Sequence, residues 1–395
     1  MKQLKGWWLR RVPMLLIGLL VLSASGYSSA QSTQTLIIGA IGPLTGAAAG
    51  WGSAMLGSLE IAAKEVNDAG GLKVGNVRYQ VKIVAYDDKY LPNDAVTAVN
   101  RLVSQDGAKF MFGPFGTPGF LASRDIAREA GALQMIIAYT PAAVDPKYPM
   151  VYRHLPSPTE FSPPLLAWVQ KQNPTIKTAV VMGPDDAAGR DVATVNVKAL
   201  KALKINVIAE EYYQRTTQDF SPILTRVLAK KPDLVDLGGG APGEAGLILK
   251  QLRELGYKGV VVKAGGPGIE VIRKIAGDKN ADGFVYYAAL NKDMRAYVDY
   301  KKKFEEKYGP MNELAPYFYD GGRLLFHAIE KAGSIDPKQV SATLETVKLE
   351  GKIVGPMYFT GRQVYGIQRQ LVGPFYAGIW KGGKETTVEL QAVSQ

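Results

Sequence analysis

"TLIIGAIGPLTGAAAGWGSAMLGSLEIAAKEVNDAGG" occupies residues 35–71. It opens as an apolar strand, "LIIGAIG", passes through a long glycine-bearing loop and continues as a helix. Met55, Leu59, Ala62, Ala63 and Val66 recur there at helical spacing. Gly70 and Gly71 supply the residues on which a helix ends. The pattern then repeats. "YQVKIVAYDD" (79–88) alternates as a strand, and "PNDAVTAVNRLVSQDG" (92–107) is a helix. "AKFMFGPFG" (108–116) and "ALQMIIAYT" (132–140) are strands flanking the helix "FLASRDIAREAG" (120–131). Strict alternation with continuous apolar strands predicts an α/β fold whose parallel sheet is covered on both faces.

A proline-rich stretch, "TPAAVDPKYPMVYRHLPSPTEFSPP" (140–164), reads as a boundary. The alternation restarts at "TAVVMG" (178–183) and runs through "GVVVKAGG" (259–266), which makes a second α/β unit of similar size. Three more helices follow Gly283, too few for a third domain, so they must complete the first two. The chain therefore crosses between units more than once. The expected division is residues 34–156 plus 288–355 in one lobe and 157–287 plus 356–395 in the other.

The loop after the first strand decides which ligands are plausible. Its glycines, Gly39, Gly42, Gly46, Gly50 and Gly52, do not give the GxGxxG spacing that cradles a dinucleotide. No GxxxxGK[ST] occurs either. What remains is a wide loop at the carboxyl end of a strand, the edge where open α/β sheets bind ligands. It carries Trp51, a flat apolar wall with one donor. The next strand ends share this character. Gly116 permits close backbone approach, and Thr117 offers a hydroxyl beside the free N–H groups of a helix start. Ala138, Tyr139 and Thr140 end the fourth strand. Gly240 in "LGGGAPG" and Gly265 in "KAGGPG" hold similar places in the second unit. Glycine-rich strand ends in two units predict one cleft between them.

Catalytic sets do not assemble. The 395 residues contain no cysteine, which excludes thiolate zinc, iron–sulfur clusters, disulfides and cysteine nucleophiles. Only His154 and His327 could serve a triad, and no GxSxG or HExxH is present. Asp87/Asp88 and Asp185/Asp186 read as loop and cap carboxylates. Neither a cofactor nor a metal is expected.

At the N-terminus, Lys2, Lys5, Arg10 and Arg11 precede an apolar run over 12–22, and small residues follow to Ala30. This is the pattern of an export signal over residues 1–30. The run is shorter than the roughly 20 residues of a membrane span. Those 30 residues hold four basic and no acidic groups, so their removal lowers the net charge from +11 to +7. A modest positive charge suits small anions. The lysines are scattered among acids, as in "YKKKFEEKYG" (300–309), which argues against nucleic acid.

Seven stretches, spread over nearly all of the chain after residue 30, carry a family resemblance. They are "IGPLTGAAAGWG", "AAKEVNDAGG", "VAYDDKYLPNDAVTAVNRLV", "FGPFGTP", "TQDFSPIL", "LRELGYKG" and "YFYDGGRLLFHAIEKAG". The chain resembles the solute-binding proteins of bacterial ABC importers, in the branch that includes the leucine/isoleucine/valine binders. The resemblance implies two Rossmann-like lobes joined by three crossing strands, the type I periplasmic binding architecture, closing on a solute by hinge motion. It implies a periplasmic, monomeric binding protein, not an enzyme, whose partner is a membrane permease. It puts Trp51 against the ligand as an aromatic wall, Thr117 on the ligand carboxylate, and Ala138 to Thr140 on carboxylate and ammonium.

Two departures bear on the ligand. Amino-acid binders usually carry an acid after the strand matching "GVVVKAGG" to hold the ammonium, and here Gly265 and its neighbours are small. They also often place an aromatic where this chain has Ala188. The expected ligand is a carboxylate without an α-ammonium, aromatic or larger than leucine. The alternative is that Asp186 or Glu270 takes over the acid's task. A sensing domain for a receptor or regulator, and a secreted two-lobe enzyme, are the rival readings.

Overall fold

A computed structural model describes residues 33–390, so the export signal read over 1–30 lies outside the described residues. The chain makes four runs. The first comprises β1 (Thr33–Gly42), α1 (Ala49–Asp68), β2 (Leu72–Val74), β3 (Val77–Asp87), α2 (Pro92–Ser104), β4 (Phe110–Phe115), α3 (Thr117–Glu129), β5 (Leu133–Ile137) and β6 (Val151–Arg153). The second comprises α4 (Pro158–Gln172), β7 (Thr178–Pro184), α5 (Ala187–Ala202), β8 (Asn206–Tyr213), α6 (Ser221–Ala229), β9 (Leu234–Asp236), α7 (Pro242–Glu254), β10 (Val260–Lys263), α8 (Ile269–Ala276), α9 (Asp278–Ala281) and β11 (Phe284–Ala288). The third holds α10 (Arg295–Tyr308), α11 (Ala315–Ala332), α12 (Pro337–Leu344), β12 (Leu349–Glu350), β13 (Pro356–Thr360), α13 (Arg362–Tyr365) and β14 (Gln370–Val372). The fourth is the hairpin β15 (Tyr376–Lys381) and β16 (Lys384–Glu389).

Runs one and three build a nine-stranded sheet, β12-β13-β14-β6-β5-β4-β1-β3-β2; runs two and four build a seven-stranded one, β16-β15-β11-β10-β9-β7-β8. The chain thus crosses three times, after β6, after β11 and after β14. Central strands are parallel and antiparallel pairs sit at the edges. The central strands read as continuous apolar runs because both faces are covered: all six residues of β4 are buried, as are Leu36, Ile38, Ala40 and Ile41 of β1.

The lobe boundaries differ from the sequence expectation in one place. β13 pairs with β14, and β14 runs beside β6, where Gln370 lies opposite Arg153. Residues 356–372 therefore belong to the first sheet, although the sequence places 356–395 with the second lobe. Arg153 Nε donates to the Gln370 side chain, and both residues are buried. That contact fixes β14 at the edge of the first sheet. The boundary stretch 140–164 is also more structured than its prolines suggest, since it contains β6 and the start of α4. α4 begins with a capping box, Ser157 with Glu160, and carries Pro158 in its first turn.

Candidate functional site

The carboxyl ends of β1, β3, β4 and β5 meet those of β8, β9 and β10 around one cavity of about 520 Å³, mouth included. On the first-lobe side, Trp51 enters from the start of α1. Gly52 beside it must be glycine, because a Cβ there would overlap the carbonyl of Pro43. The indole stacks on Phe115 at 5.2 Å and 11°, and tilts against Tyr90 at 6.0 Å. All three rings line the cavity.

Tyr90 owes its place to an unusual turn. Lys89 and Tyr90 both have positive φ, +49° and +63°. Two consecutive non-glycine residues in that region cost on the order of 1 kcal/mol each or more. The two acids before them hold the turn: Lys89 N–H donates to Asp87 Oδ1 at 2.9 Å, and Tyr90 N–H to Asp88 Oδ1 at 2.8 Å. Asp87 also accepts from Leu44 N–H and from Thr45 Oγ1, so Thr45 ties down the first loop and does not line the cavity. Asp88 is fully buried and its Oδ2 has no partner. Burial pushes its carboxyl up to about 7, and the charges of Asp87 and Asp94 add to that.

Gly116 is the N-cap of α3, with φ +92° and no side chain to cap the helix. A Cβ there would lie 2.5 Å from the Tyr90 ring, so glycine is needed for that ring to pass. The uncapped N–H groups of the first turn of α3 carry the positive end of the helix dipole. Thr117 lines the cavity at this point, and its Oγ1 accepts from the N–H groups of Tyr139 (3.2 Å) and Thr140 (3.3 Å).

Of residues 138–140, only Tyr139 lines the cavity. Ala138 and Thr140 face away: Arg153 Nη1 donates to both of their carbonyls, at 3.1 and 3.0 Å. The sequence expectation puts these two residues on the ligand; in the structure neither is on the cavity wall. Their task is to present Tyr139, whose ring stands edge-on to Phe161 and reaches Gly266 on the other lobe.

The second-lobe wall is mostly backbone. Gly238, Gly239 and Gly240 follow β9, and Gly266 and Pro267 follow β10. Gly265 does not line the cavity. A Cβ on it would overlap the carbonyl of Gly238, so it lets the two loops touch. Behind them sits a buried set. Asp236 accepts from Ala264 N–H (3.0 Å) and Asn196 Nδ2 (2.6 Å), and Lys263 Nζ donates to Gly266 O at 2.6 Å. Burial pushes Asp236 up to about 6 and Lys263 down to about 8.

One charged side chain lines the cavity, Arg215, two residues beyond β8. Its Nε donates to Asp186 (2.6 Å) and its Nη1 to Glu244 (3.3 Å), and its Cζ lies 5.3 Å from the Tyr90 ring centre. Burial works against its charge, but Tyr90, Asp186 and Glu244 outweigh that and push its pKa up. Asp186 is the N-cap of α5, accepting from Gly189 N–H. It stands behind Arg215 and does not line the cavity. Glu270 is exposed on α8, paired with Arg273 at 3.0 Å, and is not at the wall. Among the described residues no aspartate or glutamate lines the cavity, and Ala188 with Val192 stands on the wall beside α5.

The structure thus brings Trp51, Gly116, Thr117, Tyr139 and Gly240 together and leaves Ala138, Thr140, Asp186 and Gly265 one layer back. Sequence reading missed Tyr90, Phe115 and Arg215. All three lie at or just beyond strand ends; those of β3 and β8 carry no glycine to mark them, and Phe115 reads as one more apolar residue of β4. Leu314, which completes the wall from the segment before α11, carries no signal at all.

Two mostly parallel α/β sheets, three chain crossings and a cleft between facing strand ends define a type I periplasmic binding architecture. The chain belongs to the family described as periplasmic binding protein, whose pattern matches residues 35–384. It is 26% identical over 350 residues to the leucine-, isoleucine-, valine-, threonine-, and alanine-binding protein of Pseudomonas aeruginosa, which covers 86% of this chain and 90% of that one. It is 28% identical over 284 residues to the Leu/Ile/Val-binding protein of Escherichia coli K12, covering 71% and 73%. Among solved structures, an ABC transporter solute-binding protein of R. palustris in complex with benzoate superposes with a TM-score of 0.76 at 23% identity, covering 91% of this chain and 98% of that one. A branched-chain amino acid binding protein of Streptococcus pneumoniae in complex with isoleucine gives 0.77 at 20%, covering 91% and 100%. These relatives bind solutes and are not enzymes. Among the described residues no helix is long and apolar enough to cross a membrane.

Proposed function

We propose that this chain captures an organic acid without an α-ammonium, of which aromatic acids are the leading class. Capture takes place in the periplasm, on behalf of an ABC importer permease. One observation carries this reading: the cavity is walled by four aromatic rings, and no carboxylate lines it. The nearest acids, Asp186 and Glu244, are both taken by Arg215, so an ammonium could pair directly with one only by breaking that contact. A carboxylate finds the uncapped first turn of α3 and Thr117. Trp51, Tyr90, Phe115 and Tyr139 offer the rest of the solute apolar ring surface. The solute touches both lobes, so it favours the closed arrangement over the open one by its differential affinity. The benzoate complex of the R. palustris relative supports the ligand class, and the roles of the named relatives support the permease partner.

The names of the amino-acid-binding relatives favour a second reading, a branched-chain amino acid. It requires Asp186 to leave Arg215 and turn to the ligand. Calorimetric titration of the chain without its first 30 residues separates the two. The acid reading expects saturable heat with benzoate and none with leucine. Tight leucine binding with no response to benzoate would overturn it.

A further inference from the structure

The guanidinium of Arg215 is held in a fixed plane but not used up. Asp186 takes Nε, Glu244 takes Nη1, and the Tyr90 ring lies beneath at 5.3 Å. Among the described residues Nη2 makes no hydrogen bond, and the side chain is part of the cavity wall. Its two acidic partners are themselves fixed. Asp186 accepts from Gly189 N–H at the N-terminus of α5. Glu244 accepts from Ala241 N–H and Tyr213 Oη at the N-terminus of α7. Both carboxylates are therefore held where they are, and the guanidinium cannot swing elsewhere without abandoning them.

We infer that Arg215 is a second polar subsite of the cleft, and that it reads a neutral oxygen substituent of the bound acid: a ring hydroxyl or a keto group. This deepens the ligand class proposed above and rests on it. The sign of the local charge selects the substituent. One guanidinium faces two carboxylates, so the cluster is net negative. A second carboxylate on the ligand would be the third around one cation, and repulsion between like charges at such distances exceeds what one more hydrogen bond returns. A hydroxyl or carbonyl oxygen takes the free N–H without that repulsion. The position of Tyr90 makes the arrangement geometric as well as electrostatic. Its far edge lies over Gly116, beside the helix start that would hold the ligand carboxylate, and the guanidinium stands over its ring. A flat acid lying in the box therefore has a polar anchor on each lobe, the α3 first turn on one and Arg215 on the other. An unsubstituted apolar ring leaves the second anchor unpaired in a desolvated site.

The test is a calorimetric series with benzoate, 3-hydroxybenzoate, 4-hydroxybenzoate and terephthalate, on the wild-type chain and on Arg215→Met and Arg215→Lys. At least one hydroxybenzoate should bind about tenfold tighter than benzoate, the worth of one charge-assisted hydrogen bond. Terephthalate should bind more weakly than benzoate. Arg215→Met should abolish the hydroxyl advantage, weakening the preferred hydroxybenzoate about tenfold more than it weakens benzoate. Lysine, a point charge without the fixed fork, should restore only part of it. The inference is overturned if neither hydroxyl position gains over benzoate, if terephthalate binds tighter, or if Arg215→Met weakens all of these acids equally. The wild-type comparison alone decides if the variants fail to fold. Benzoate binding without a hydroxyl gain sinks only this inference; absence of binding by all four acids sinks the function proposed above as well.

Discussion

The two walls of the cleft are made of different material. The first lobe presents side chains: Trp51, Tyr90, Phe115 and Tyr139. The second presents mostly glycine main chain, with the small apolar Ala188, Val192 and Pro267 and one arginine standing out of it. The first wall can select for shape, because rings resist deformation and each is braced by a neighbour. The second can come close, because glycine leaves nothing in the way. Substitutions in the two walls should therefore fail in different ways.

The largest expected effect is on the glycine wall. Gly265→Ala puts a methyl into the Gly238 carbonyl and must push the two loops apart. A loss of about 2–4 kcal/mol of unfolding free energy is expected in urea titrations, as for overpacked interior sites. A neutral result would mean that the loops do not depend on that contact. On the aromatic wall, Trp51→Ala should leave folding nearly intact. It should weaken benzoate binding by about 30–100-fold, the usual worth of a central aromatic anchor. If it lowers stability more than affinity, the ring belongs to the core and the comparison of the walls fails.

A smaller effect sharpens the contrast in chemistry. A Cβ on Gly266 would have ordinary contact distances, 3.5 Å to Tyr139 Oη. Gly266→Asp should therefore fit and bring a carboxylate to a wall that has none. Benzoate affinity should fall about tenfold while leucine binding rises. No change in the ratio of the two would argue that the missing acid is not what sets ligand class.

The smallest expected effect concerns pH. Burial raises Asp88 to about 7 and Asp236 to about 6 in the folded chain, above the unfolded value near 4. A folded-state pKa above the unfolded one means that the folded chain holds the proton more tightly. This contribution to stability is full below about pH 4 and is lost as pH climbs to about 7. Asp88→Asn keeps the acceptor for Tyr90 N–H and removes the ionisation. Its melting temperature relative to wild type should rise by about 1–2 °C between pH 6 and pH 8, as expected for roughly 1.4 kcal/mol in a chain of this size. A constant difference across that range would show that Asp88 does not titrate there.

Alternating strands and helices made both lobes legible in advance, because buried parallel strands must be apolar throughout. The rule that ligands gather at strand ends then led to Trp51, Gly116, Thr117, Tyr139 and Gly240. Three things escaped. The short edge strands β13 and β14 carry too little pattern to say which sheet they join, and only the packing of Gln370 beside Arg153 decides it. Ala138 and Thr140 sit in the right segment, but an extended chain points alternate residues apart, so one of three consecutive residues reaches the cavity. Arg215 and Tyr90 look like ordinary surface residues until the lobes bring them within 5.3 Å of each other.

The three crossings carry a consequence for how the polypeptide comes into being. Neither sheet is built from one continuous stretch: the first needs strands up to residue 372, and the second needs the hairpin that ends at Glu389. A ribosome that has reached residue 350 has made most of both hydrophobic cores and completed neither sheet. Neither sheet can therefore close on itself until synthesis is almost over.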